Sequence, residues 1–326
     1  MMAARRAGPS TYLSFEAPLE RLDTDIVRLA DTAAGRDGER LRRLRGERRR
    51  LEREIVAGLE PWERVQLSRH PDRPSTLDYI ETLCRDVVVL HGDRRFGDDP
   101  AVVGALARFR GRAVVIVGHQ RGRTPSERIA CNFGMPRPEG FPKAVRLFRL
   151  AERFGRPVIS FIDTQGAYPG IGSEQRGLAE AIATSLAVLA TLRVPIVSAI
   201  VGEGGSGGAL AFALADRVLM QEHGWYSVIS PEGCASIIFR KRGADTVARS
   251  ATLLRLTARD LEAAGVVDEV VPEPGGGAHR RPARAAVLLG RALERQLAAL
   301  ARLSPRTLVA RRYARYRRVG TELRRA

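Results

Sequence analysis

Cysteine is scarce in this chain: three residues in 326, Cys84, Cys131 and Cys234, with no C-x-x-C spacing among them. That excludes a disulfide framework and leaves no sulfur ligand set for zinc. The five histidines, His70, His91, His119, His223 and His279, are equally dispersed, so spacing encodes no metal site here. Lysine is nearly missing as well. Only Lys143 and Lys241 occur among 54 basic residues, so the arginine preference is chain-wide and compositional. The net charge of +17 is therefore a weak pointer to nucleic acid. Aromatic residues make up 6% of the chain and are absent from its most basic run, RLRRLRGERRRLERE at 40–54. Without stacking platforms, that run reads as a solvated helix face. No segment approaches eighteen uncharged apolar residues, and the N-terminal MMAARRAGPSTYLSFEAP lacks the apolar stretch of a signal sequence. No membrane partner is expected, and the expected location is cytoplasmic.

What is present is a core. A chain of this length with 44% hydrophobic residues can fill one large domain with appendages. Residues 18–59 read as a helical hairpin, with Leu19, Leu22, Ile26 and Leu29 on one arm and Leu41, Leu44, Leu51, Ile55 and Leu59 on the other. Strands are expected at 101–109 and 112–118, joined at Arg110-Gly111, then at 156–163, 194–201, 216–220 and 225–230. The runs GFPKAVRLFRLAERF and SEQRGLAEAIATSLAVLATL read as the helices between them. A weak repeat, PVISFIDTQGAYPGIGSEQRG and PIVSAIVGEGGSGGALAF, twice sets a glycine-rich loop between a strand and a helix. Stacked β-β-α turns, an α/β fold other than a doubly wound sheet, follow from that order.

The densest glycine run, VGEGGSGGALAFALAD at 201–216, fits three templates. Gly202, Gly204 and Gly207 spell G-x-G-x-x-G with Glu222 twenty residues on, but the segment before the next strand is too short for a crossover helix, and Glu222 reads as a strand-end carboxylate. Gly204, Ser206 and Gly208 spell the G-x-S-x-G of a hydrolase, yet nothing places His223 or His279 near Ser206. The third template needs only backbone. A strand ends, the chain turns sharply and a helix begins at Gly207-Gly208, leaving N–H groups free at the positive end of the helix dipole to meet an oxyanion.

The chain resembles the carboxyltransferase α subunits of multisubunit bacterial acetyl-CoA carboxylase. LSFEAPLERL, RHPDRPSTLDYI, GDRRFGDDPAVVGALARFRGR, VGHQRGR, NFGMPRPEGFPKAVRLFRLAERF, FIDTQGAYPGIGSEQRG, VGEGGSGGALAFALAD, YSVISPEGCASI and VVDEVVPEPGGGAHRRP carry the likeness in family order and spacing. It implies a crotonase-like superhelix of β-β-α turns at 76–300, an N-terminal helical extension at 1–75 and a basic C-terminal helix at 301–326. It also implies an α2β2 assembly with a zinc-ribbon carboxyltransferase β subunit, which would hold the metal absent from this chain. Biotin carboxylase and the biotin carboxyl carrier protein would complete the system. The implied reaction moves the carboxyl group of carboxybiotin, borne by the carrier protein, to acetyl-CoA, giving malonyl-CoA for fatty-acid synthesis. In that frame the N–H groups of Gly207 and Gly208 meet the biotin ureido oxygen, with Gly204, Gly205 and Ser206 beside them. Gly166, Tyr168 and Gly170 of the other glycine loop would wall the same cleft. Tyr168 is equally consistent with core packing, and Cys234 reads as a small buried residue. Two departures stand out. Gln165 replaces the proline of the usual DTPGAYPG, as an inhibitor-insensitive second copy would have it, and FRKRGADTVARSAT replaces a tryptophan-lysine stretch. The competing readings are a stand-alone crotonase-fold acyl-CoA hydratase or hydrolase, and a non-catalytic nucleic-acid-binding paralogue.

Overall fold

Two parallel strands that are buried at every position, β4 (Val158–Thr164) and β5 (Ile196–Gly205), form the centre of the molecule. Their first five or six residues, VISFI and IVSAIV, are apolar but for one serine each, as a sheet covered on both faces requires. The computed structural model describes residues 12–31, 38–241 and 243–320; the turn of the expected helical hairpin, the first eleven residues and the last six lie outside these. The strands before the centre are β1 (Cys84–Val89), β2 (Val102–Phe109) and β3 (Arg112–His119). After it come β6 (Arg217–Gln221), β7 (Trp225–Ser227) and β8 (Glu269–Val271). They make one sheet in the order β1-β2-β3-β4-β5-β6-β8, with β7 branching from the end of β5. β1, β2 and β3 pair antiparallel, with β2 and β3 joined at Arg110-Gly111; the remaining pairs are parallel.

The helices in chain order are α1 (Ala17–Asp31), α2 (Gly38–Ala57), α3 (Pro61–Ser68), α4 (Thr76–Leu83), α5 (Pro125–Ala130), α6 (Gly140–Arg153) and α7 (Ile171–Gln175). They continue as α8 (Leu178–Thr191), α9 (Ser206–Ala213), α10 (Pro231–Ile238), α11 (Ala244–Leu253), α12 (Ala258–Ala263), α13 (Pro282–Leu300) and α14 (Pro305–Arg318). Alternation along β5 sends its side chains to two cores. Ile196 and Ile200 join Phe141 and Phe148 of α6, Leu189 of α8 and Phe212 of α9 on one face. Val197, Ala199 and Val201 join Tyr79 of α4, Leu289 and Leu293 of α13 and Leu308 of α14 on the other. No helix among the described residues is long and apolar enough to cross a membrane.

The helix expected over SEQRGLAEAIATSLAVLATL is two helices. Gly177 has φ +75°, a left-handed conformation that ends α7 and caps α8. The strand expected at 194–201 runs on to Gly205, because the glycines after it continue pairing with β4 and β7. β7 is only three residues long, and β1 and β8 were not anticipated. The valines of β1 are partly exposed on a sheet edge, a pattern that alternation does not flag.

The helical hairpin is present and docked. Arg48 of α2 meets Asp23 of α1 at 2.6 Å, and the Tyr12 hydroxyl donates to the same carboxylate at 2.7 Å. Glu16, 2% exposed, reaches Arg280 at 2.9 Å. Burial pushes its carboxyl up, but the nearby His279 and hydrogen bonds from the Leu13 N–H and Arg280 win and hold it at about 2.

Candidate functional site

β4 and β5 run side by side, so the loops leaving their C-terminal ends meet, and the glycines are where they touch. A Cβ on Gly205 would lie 2.0 Å from the Gln165 carbonyl oxygen, and one on Gly208 would lie 2.4 Å from the Ala167 nitrogen. Any side chain there would part the loops. Gly207 is different: its Cβ would meet only Ile182, at 3.5 Å. Gly204 backs onto Tyr226 of β7, and a Cβ on Gly166 would lie 3.6 Å from the Cβ of Ser206.

Between Gly205 and Gly207 the chain turns from strand to helix through Ser206, a non-glycine residue at φ +55°. Such a conformation persists only where the surroundings enforce it. The helix α9 therefore starts at Ser206, one residue earlier than expected. Its N-cap is Gly205, which has no side chain to cap the first turn, and no acidic residue lies in that turn. By contrast α5, α10, α12 and α14 begin with Thr124, Ser230, Thr257 and Ser304, each accepting a backbone N–H. Exposure falls along the turn, with Ser206 exposed, Gly207 half-buried and Gly208 buried. Ser206 and Gly207 open on a cavity of about 270 Å³ that Leu210, Tyr226, Ser227, Val228, Leu261 and Val266 also line. Donors at a dipole's positive end beside an apolar wall suit an anionic oxygen on a mostly apolar ring.

Gln165 is exposed and borders a second cavity, of about 350 Å³, together with Arg69, Arg121, Arg128, Phe133 and Glu203. Tyr168 is half-buried. Its N–H donates to the Pro136 carbonyl at 2.9 Å, its ring covers Gly170, and the Arg137 guanidinium lies 5.5 Å from the ring centre. Cys234 is half-buried in α10 rather than buried. The histidines considered for Ser206 are engaged elsewhere: His223 meets Arg64 at 3.1 Å and His279 meets Glu16 at 3.4 Å. Glu222 sits just past β6, where its carboxylate accepts the Glu273 N–H.

Sequence reasoning missed the charged layer under the turn. Asp163, Glu203, Arg69 and Arg121 interlock there, all but Arg69 and Arg121 being about 1% exposed. Burial raises Asp163, opposed chiefly by Arg121. His119 lies fully buried against Phe212 of α9, and desolvation takes it down to about 3, so it stays neutral. The segments RHPDRP and VGHQRGR contain three of these residues, but only their convergence in space shows what they do.

Residues 12–320 match the family described as acetyl co-enzyme A carboxylase carboxyltransferase-like. The chain is 49% identical over 314 residues to the acetyl-coenzyme A carboxylase carboxyl transferase subunit alpha of Aromatoleum aromaticum, covering 95% of this chain and 97% of that one. With the protein of the same description from Azoarcus sp. strain BH72 it shares 48% over 320 residues, or 95% and 99% of the two chains. Among solved structures, a chain of a Pseudomonas malonate decarboxylase hetero-tetramer in complex with coenzyme A superposes with a TM-score of 0.57 at 20% identity, over 76% of this chain and 96% of that one. The β subunit of Pseudomonas aeruginosa geranyl-CoA carboxylase gives 0.54 at 20% identity, over 78% and 51%. Transcarboxylase 12S gives 0.53 at 24% identity, over 66% and 41%. These likenesses establish a shared fold, the crotonase-like one expected from the sequence.

Proposed function

Because the chain belongs to the acetyl co-enzyme A carboxylase carboxyltransferase-like family, we propose that the uncapped start of α9 is the place where it performs its part of carboxyl transfer. The chain is a carboxyltransferase α subunit, and the reaction of its relatives is acetyl-CoA carboxylation. The observation that carries the site assignment is a helix N-terminus whose cap position is a glycine, open to an apolar cavity. Carboxybiotin, delivered by the carrier protein, supplies the carboxyl group. The N–H groups of Gly207 and Gly208 stabilise the negative oxygen left on the ureido ring, each preorganised donor of this kind contributing about 3–4 kcal/mol. Gly204 and Gly205 hold the strand end, Ser206 makes the turn, and Gly166, Tyr168 and Gly170 form the neighbouring wall. The second oxyanion, on the thioester, is met by a zinc-ribbon β subunit in an α2β2 assembly, and the acetyl methyl proton passes to the biotin ring that has given up its carboxyl group, so this chain needs no base of its own.

The purified chain is expected to be silent in carboxyl transfer between malonyl-CoA and a biotin derivative, and active once the zinc-ribbon partner is added. Turnover by the chain alone would transfer the proposal to a stand-alone crotonase-type enzyme.

Gln165 lies at the rim of the two loops, and its Nε2 donates to Glu203 at 3.4 Å. We assign it to ligand exclusion and not to chemistry, since a proline there would present a flat ring and no donor. Gln165→Pro in the reconstituted enzyme should keep turnover while tightening inhibition by compounds directed at this cleft. Equal inhibition of both forms removes the assignment.

A further inference from the structure

The oxyanion geometry leaves unexplained why so much charge is buried beneath it. Glu203 stands on β5 two residues before the cap glycine, and its side chain is 1% exposed. One carboxylate oxygen accepts from Arg69 Nε at 2.7 Å. The other faces Arg121 Nη1 at 3.7 Å and accepts from Gln165. Arg121 Nε is 2.8 Å from Asp163 on β4, and the free oxygen of Asp163 accepts the Glu203 backbone N–H at 3.0 Å. There is no room for a side chain between them: a Cβ on Gly202 would lie 2.2 Å from Asp163 Oδ1. Arg69 continues to Glu232 at the start of α10.

Buried ion clusters give little net stability over apolar packing, because desolvation offsets most of the attraction. What they do give is geometry, since each guanidinium fork fits few arrangements of its carboxylates. This cluster joins the segment after α3, the loop after β3, both central strands and α10. All five meet at the C-terminal end of β5, next to the glycine that caps α9.

We infer that Glu203 is a positioning residue for the oxyanion turn: through Arg69 and Arg121 it fixes the end of β5, and with it the N–H groups of α9, against the loop after β4. The inference rests on the oxyanion reading of that turn, but the fixing itself is separately measurable. Glu203 touches no reacting atom.

Glu203→Gln keeps the side chain's size and leaves Arg69 with Glu232 and Arg121 with Asp163, so the fold survives. In the full chain, amide exchange over 203–208 should quicken by about tenfold or more, with α13 unaffected, because the turn opens locally. Glu203→Asp, which keeps the charge, should fall between. In the complex with the zinc-ribbon partner, kcat should drop about tenfold with KM for acetyl-CoA held within about twofold, as for an interaction expressed only in the transition state. Unchanged exchange over 203–208 overturns the inference whatever the activity, and so does a KM effect at constant kcat. If the native chain shows no transfer, the functional reading fails while exchange still decides this one. Should Glu203→Gln not fold, Arg69→Gln removes the same contact from the other side and must give the same exchange result.

Discussion

Gly208→Ala in the reconstituted enzyme should lose carboxyl transfer by about 100-fold or more, the scale of a lost oxyanion site, whereas Gly207→Ala should stay within about tenfold of native. The two residues are neighbours in sequence and both carry an N–H of the same helical turn, yet they are glycine for different reasons. A methyl group on Gly208 would sit 2.4 Å from the Ala167 nitrogen and 2.5 Å from the Gly166 carbonyl carbon, backbone that cannot step aside. The helix would have to lift off the loop, carrying its donors with it. A methyl group on Gly207 would meet the flexible end of Ile182 at an ordinary van der Waals distance. Ser206→Ala should be mild too, since the hydroxyl has no base to activate it. Steady-state turnover of the three variants, each with a thermal unfolding midpoint, checks the order. Native turnover by Gly208→Ala would mean that the seating of α9 on the loop is not what sets the site. A loss in Ser206→Ala larger than in Gly208→Ala would restore the hydrolase-like reading.

That contrast also marks how far the sequence reaches. The glycine run announced a helix start needing bare backbone, and the repeat of strand, glycine loop and helix put two such loops at the ends of adjacent strands. Both follow from local chemistry, because glycine and apolar periodicity act over a few residues. What separates Gly207 from Gly208 is a contact with residues forty positions earlier, and no local pattern carries it. Gly177 is a miss of a different kind, since a Cβ there would meet nothing and only its left-handed backbone requires glycine. Glycine is tolerated within helices, so the apolar stripe across 173–192 gave no sign that this one would turn left-handed. The ion cluster under the turn was the least legible part. Arg69, Arg121, Asp163 and Glu203 each sit in a segment that the resemblance singled out, but an arginine in a chain with 54 basic residues gives no signal until its partner is in view.

Arg312→Ala should cost about 3–5 kcal/mol, the penalty for removing one partner of a buried ion pair. For a chain of this size that corresponds to a fall of roughly 4–7 °C in unfolding midpoint. Arg312 lies in α14, in a stretch whose composition, PRTLVARRYARYRR, reads as solvated basic helix. Its guanidinium is nevertheless 1% exposed. Nε and Nη2 each reach an oxygen of Asp216 at 2.9 Å, Nη1 donates to the carbonyls of Leu189 and Leu192 at 2.6 and 2.8 Å, and Nη2 also reaches Val194 at 3.2 Å. Asp216 in turn accepts the Ile196 N–H at 2.8 Å, so this one residue ties α14 to the end of α8 and to the first residue of β5. Truncation would strand a buried carboxylate and three carbonyls together. Arg312→Lys should recover only part of the loss, because a single ammonium cannot span both the carboxylate and the helix end. Arg311, one position earlier and exposed, should change stability by no more than about 0.5 kcal/mol when replaced by alanine. Equal midpoints for Arg311→Ala and Arg312→Ala would reduce α14 to an appendage. A wide separation would show that the arginine excess, compositional as it looks, includes residues chosen for a fork that lysine does not have.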